Sequence, residues 1–133
     1  MKDSKRKLAA IMFTDIVGFT KLSAKNEPAA LELLERQRDL LKPIVEKHNG
    51  EWLKEIGDGL LLSFEGNIDA VRCAIEIQTE AKIVENLTLR IGIHQGEVVF
   101  HGGDVIGDDV NIASRIEAYS PSGGIVVTDK VHS

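Results

Sequence analysis

Residues 7–13, KLAAIMF, are almost continuously apolar, the pattern of a strand covered on both faces, and the run stops at Thr14-Asp15. Val17-Gly18-Phe19-Thr20 opens a turn or short helix. Glu27-Pro28 then begins a long helix, with the proline tolerated in its first turn and Leu31, Leu34, Leu41, Ile44 and Val45 as its apolar stripe. Asn49-Gly50 is a good left-handed terminator for it. Residues 51–56 and 60–64 read as a hairpin around Asp58-Gly59, and residues 68–84 as a second helix carrying Ala70, Val71, Ala74, Ile75, Ile77 and Gln78 in helical rhythm. Residues 87–100, LTLRIGIHQGEVVF, predict a long strand bent at Gly92 or Gly96. A glycine-rich turn at His101-Gly102-Gly103 follows. Asp108 or Asp109 is expected to cap a third helix running to about residue 119, and residues 121–124 lead into a strand at 125–128.

That order is strand, helix, strand, strand, helix, strand, then one more helix and strand. It is the α+β, ferredoxin-like split βαβ plan (βαββαβ), an antiparallel sheet with helices packed on one face, plus an additional helix and strand. With 133 residues, 43% hydrophobic and 28% charged, the chain has the balance of one soluble domain. The pattern ends just after a fresh strand, which predicts a piece of a longer domain.

Charge narrows the function classes. A formal net charge of −5 argues against a nucleic-acid binder, which needs a basic face to displace counterions from phosphates. The basic start, Lys2, Lys5, Arg6 and Lys7, leads only into residues 8–13 before Asp15 interrupts. That run is too short for a signal peptide or a membrane span, so a cytoplasmic location is expected. Cys73 is the only cysteine, which excludes an intrachain disulfide and thiolate metal clusters, and it falls on the apolar stripe of the second helix. His48, His94, His101 and His132 include no pair at helical ligand spacing and are assigned no metal.

Several charged residues sit where the apolar pattern does not want them. Alternation along 51–56 places Trp52, Lys54 and Ile56 on one face and Leu53 and Glu55 on the other, so a lysine shares a face with tryptophan and isoleucine. In the split βαβ plan the first strand is central, which lets Asp15 at its end face Asp58 in the hairpin turn. Two carboxylates about 4 Å apart repel by roughly 4 kcal/mol at an effective dielectric of 20, a cost that a cation reverses. Oxygen-only ligands beside a turn suit Mg²⁺ or Mn²⁺. Taken alone, each aspartate also reads as a helix cap or turn former. Asn111 and Arg115, at i and i+4, share one face of the third helix while Val110, Ala113 and Ile116 cover another. Arginine is suited to phosphate and asparagine to a sugar oxygen, although the pair taken alone is better described as a solvated face. Asp104 precedes this helix in an irregular turn that turn chemistry by itself would explain.

Together the blocks MFTDIVGFTKL (12–22), LKEIGDGLLLSF (53–64), LRIGIHQGEVV (89–99) and GDVIGDDVNIASRIEA (103–118) resemble the class III adenylyl and guanylyl cyclase catalytic domain, from about residue 8 to the end. The resemblance implies that Asp15 and Asp58, with the Ile16 carbonyl, hold two Mg²⁺ or Mn²⁺ ions. It implies that Lys54 and Asp104 read the adenine edge, Asn111 orients the ribose and Arg115 binds the α-phosphate. Gly18 and Phe19 match the turn whose backbone amides approach the phosphates. The implied reaction is in-line attack of the ATP ribose 3′-oxygen on the α-phosphorus, giving 3′,5′-cyclic AMP and pyrophosphate by a two-metal mechanism. The implied assembly is a homodimer with sites shared between chains, driven by regulatory domains in the full-length protein. The family domain continues past residue 133, so the C-terminal strands are expected to be missing. Guanylate cyclases of the family carry glutamate and cysteine where Lys54 and Asp104 stand, which favours ATP over GTP. A diguanylate cyclase motif would continue Gly102-Gly103-Asp104 with Glu-Phe, but Val105-Ile106 follows. The alternative of another class is a catalytically silent dimerisation or nucleotide-sensing module.

Overall fold

A computed structural model of the chain describes residues 4–102 and 104–132; Lys2, Gly103 and Ser133 lie outside them. The chain runs β1 (Ser4–Ile16), α1 (Phe19–Lys25), α2 (Glu27–Lys47), β2 (Glu51–Ile56), β3 (Gly59–Phe64), α3 (Asn67–Ala81), β4 (Leu89–His101), β5 (Asp104–Ile106), α4 (Asp108–Glu117), β6 (Ile125–Val127) and α5 (Asp129–His132). Among the described residues the strands form one six-stranded sheet in the order β2-β3-β1-β4-β5, with β6 also on β4. Neighbours along that path are antiparallel, and β6 alone runs parallel to its partner. The α+β split βαβ plan is therefore present, with β1 at its centre.

Both faces of β1 are covered, as its apolar run predicts: Ala9, Ala10, Ile11 and Met12 are all buried. Ala10, Met12 and Ile16 join Leu60, Leu62, Phe64, Leu89, Ile91 and Ile93 beneath α2 and α3. A fully buried side chain such as Leu62 contributes about 1.5–3 kcal/mol through removal from water. Ala9 and Ile11 face the other way, where Leu61, Val98 and Ala113 of α4 form a smaller cluster. The two helices of the βαββαβ plan thus share one face, while the additional helix closes the opposite one.

Local chemistry places the element ends. Asn26 caps α2, its Oδ1 accepting from Ala29 N at 3.2 Å, and Asn49 takes the left-handed φ of 61° that ends the helix. The buried stripe of α2 runs through Ala30, Leu33, Gln37, Leu41, Ile44 and Val45, so the predicted Leu31 lies outside it and is exposed. The spacing 30-33-37-41-44 tracks the helical period better, and it admits a glutamine. In α3 the same correction applies to Ile75, which is exposed, whereas Cys73 is buried and its thiol is pushed up to about 12 by burial. Neither Asp108 nor Asp109 caps α4: the N-cap is Gly107, and Asp109 is occupied elsewhere. Strand β4 passes through Gly92 and Gly96 in unbroken register with β1. Those glycines are docking points for α4. A Cβ at Gly92 would stand 2.7 Å from the Glu117 Cα, and one at Gly96 would collide with the Asp109 carboxylate.

Candidate active site

Asp15 lies on the α4 side of β1, one residue from its end, directly opposite Arg90 of β4. The Arg90 guanidinium donates from Nε and Nη2 to both Asp15 oxygens, at 3.1 and 3.0 Å, a bidentate fork. The β2-β3 turn is made by Gly57 and Asp58, with Gly57 at φ 61°, and this folds Asp58 back toward β1. Its Oδ2 accepts from the Ile16 backbone N–H at 2.7 Å. The two predicted acids therefore meet at one rim of the sheet, and both act on the same arginine.

A third acid completes this corner. Glu117, in the last turn of α4, has a side chain only 5% exposed, with Oε2 3.5 Å from Arg90 Nε. Burial and the neighbouring Asp15 push its carboxyl up to about 8, against the opposing pull of Arg90. In its protonated form the Glu117 carboxyl shares a side-chain hydrogen bond with Asp15. The sequence reading missed both Arg90 and Glu117. An arginine within the otherwise apolar run LRIGI was an available signal for the first, whereas Glu117 looks like any exposed helix charge.

Lys54 and Asp104, 50 residues apart, meet with Nζ donating to Oδ1 at 2.9 Å. The Lys54 ammonium and the Val105 N–H hold the Asp104 carboxyl below its usual range. The pairing depends on a bulge that simple alternation does not anticipate. Trp52 pairs with Leu62 but Lys54 pairs with Leu61, leaving Leu53 as the extra residue. Cross-strand partners share a face, so Trp52 lies on the α2 side with Leu62, and Lys54 on the α4 side with Leu61. The expectation that Trp52 and Lys54 share a face is thus corrected. On its own side Trp52 donates from Nε1 to Glu55 at 3.1 Å, and Arg38 grips the same carboxylate with two 2.8 Å bonds.

Asn111 and Arg115 are both exposed on α4, while Ala113 and Glu117 are its buried positions. About 200° separates residues two apart on a helix, so Arg115 points away from the corner that Glu117 enters. The start of α4 is held by His94, whose Nε2 lies 2.8 Å from Asp109 Oδ1 and whose Nδ1 lies 3.0 Å from Thr128 Oγ1. Asp109 Oδ2 also accepts from Glu97 N at 2.8 Å. Gly18 takes a left-handed φ of 77° as the N-cap of α1, and Phe19 packs against the main core.

Asp15, Asp58 and the Ile16 carbonyl make an all-oxygen donor set that fits Mg²⁺ or Mn²⁺. Beside them Glu117, its carboxyl raised to about 8 by burial and by a hydrogen bond with Asp15, is a neutral acid at neutral pH and not a third anion. No ready-made group of three or more acidic, histidine or cysteine ligands exists among the described residues. No helix among them is long and apolar enough to cross a membrane.

A core of this topology, with two carboxylates at the rim and a lysine–aspartate pair on the sheet face, defines a class. Residues 1–133 match the family described as Adenylate and Guanylate cyclase catalytic domain, and the chain belongs to it. Its solved neighbours include an adenylate/guanylate cyclase/hydrolase from Silicibacter pomeroyi, 37% identical with a TM-score of 0.87 over 98% of this chain and 80% of that one. The adenylyl cyclase CyaB from P. aeruginosa is 26% identical, with a TM-score of 0.86 over 98% and 81%. An adenylate cyclase of Streptomyces coelicolor is 33% identical over 120 residues, 89% of this chain and 32% of that protein. The chain spans only 16% to 32% of the length of the first three curated relatives it matches, one of which is named as a serine/threonine-protein kinase of Myxococcus xanthus.

Proposed function

We propose that this chain is the catalytic domain of an adenylate cyclase, converting ATP to 3′,5′-cyclic AMP and pyrophosphate at sites shared between two copies. The observation that carries the reading is the Lys54–Asp104 pair, which sets an obligate donor beside an obligate acceptor on one sheet face. An adenine edge offers the complement, a ring acceptor beside an exocyclic amine. The relatives named as adenylate cyclases support the same choice of base. Asn111 orients the ribose from the exposed face of α4. Arg115, one turn on, takes the α-phosphate and stabilises the charge that builds there, as arginine does in other phosphoryl transfers. Gly18 and Phe19 present their backbone to the phosphates. Asp15, Asp58 and the Ile16 carbonyl would hold two Mg²⁺ or Mn²⁺ ions, whose chemistry is to acidify the 3′-hydroxyl and neutralise the phosphates.

Sharing between copies is favoured by the geometry of α4, whose inner face meets Asp15 through Glu117 while Asn111 and Arg115 face outward. A two-fold partner brings such an outward face to the other copy's carboxylates. That the matching segment is a minor part of its longer relatives supports attached regulatory domains as its partners. The test is Arg115→Ala, assayed for cyclic AMP with ATP and Mn²⁺. Turnover is expected to fall on the order of 10³-fold or more with ATP binding largely retained. Equal loss of binding and turnover would remove Arg115 from the chemistry, and absence of product from the unaltered domain, assayed within its full-length protein, would overturn the enzymatic reading.

A further inference from the structure

Strand β2 is an edge of the sheet, and among the described residues ladder bonds hold it only on its β3 side. In a regular strand Trp52 and Glu55, three apart, stand on opposite faces. Here both stand on the α2 side, Trp52 paired with Leu62 and Glu55 with Leu60, while Leu53 and Lys54 both turn to the α4 side. The 3.1 Å bond from Trp52 Nε1 to Glu55 therefore spans the bulge and closes only when the extra residue is in place. Helix α2 fastens this arrangement. Arg38 forks onto Glu55, whose carboxyl it draws down to about 2. Lys42, one turn on from Arg38, lies 5.5 Å from the centre of the Trp52 ring. With plain alternation Lys54 would share the Trp52 face, away from Asp104.

We propose that Trp52, Glu55 and Arg38 form a lock on the β2 bulge, made on the α2 face, that sets Lys54 against the nucleotide base from behind the sheet. All three are positioning residues that act through Lys54. The inference rests on the reading of Lys54 and Asp104 as the adenine contacts. The lock lies across the sheet from those contacts, so any influence it has on base choice passes through the bulge.

Discrimination between ATP and an analogue with C–H in place of the ring nitrogen beside the amine reads the Lys54 contact. Measured as the ratio of kcat/KM values with Mn²⁺ on the full-length protein, it should fall furthest in Lys54→Met, which loses the donor. Trp52→Phe and Glu55→Gln should lower it part of the way. Each should raise KM for ATP by about two- to tenfold, the range for loosening one hydrogen bond, with kcat moving less because a base contact is made alike in ground and transition states. Either change combined with Lys54→Met should lower the ratio no further. If turnover is too slow to read, calorimetric affinities for the two nucleotides give the same ratio. Should a β2 variant fail to fold by circular dichroism, Arg38→Met on α2 carries the same expectation. An unchanged ratio in these variants beside a lowered one in Lys54→Met would overturn the lock and spare the base reading, and a further fall in the double variants would do the same. A ratio that Lys54→Met leaves unchanged would remove Lys54 from the base, and the lock with it.

Discussion

Glu117 carries a pH signature that can be read without substrate. Burial and Asp15 raise its folded pKa to about 8, above the ordinary carboxylate value. A raised acid is neutral in the folded chain while the unfolded chain ionises, so its contribution to stability is whole below the unfolded value, near 4.5. It is lost as pH climbs through about 8. Thermal unfolding across this window should therefore show stability falling between those limits, and Glu117→Gln should flatten that part of the profile. A parallel slope in both proteins would mean that other groups drive it. The residue escapes sequence analysis because RIEA in a helix looks solvated, and only the bare glycine on β4 reveals that α4 presses Glu117 inward.

Elements act here through contacts that no single stretch displays. The β2 bulge turns Lys54 from the α2 face to the α4 face, where Asp104 of β5 can reach it. Helix α4 does two jobs at once, sealing the second core with Ala113 and presenting Asn111 and Arg115 outward. Its seat on β4 is the sensitive joint. Gly92→Ala would press a methyl group into the Glu117 backbone, and a helix turn cannot yield as a flexible side chain does. We expect a loss of about 1–3 kcal/mol in urea unfolding, typical of overpacking, together with lower turnover as Asn111 and Arg115 shift. Wild-type stability in that variant would mean that the helix is less tightly docked than its contacts indicate.

At the scale of the whole molecule the prediction is complementation. Asp15→Ala and Arg115→Ala chains, each inactive alone, should regain activity on mixing, because a heterodimer retains one intact site. Specific activity should also fall on dilution more steeply than a unimolecular enzyme allows. Failure of rescue at concentrations where size-exclusion chromatography shows dimers would sink the shared site while leaving the family assignment intact.

The βαββαβ order, the α+β class and the polar residues that interrupt the apolar pattern, Asp15 and Asp58 among them, were legible along the chain, whereas the face of Lys54 and the short strand that begins at Asp104 were not. Apolar periodicity and turn residues are local quantities, and polar residues that break them stand out. The bulge at Leu53, the Arg90 fork on Asp15, the burial of Glu117 and the closing of a second face by α4 were decided only by tertiary structure. Each depends on strand register or on the approach of two backbones distant in sequence, and a sequence pattern carries no record of either.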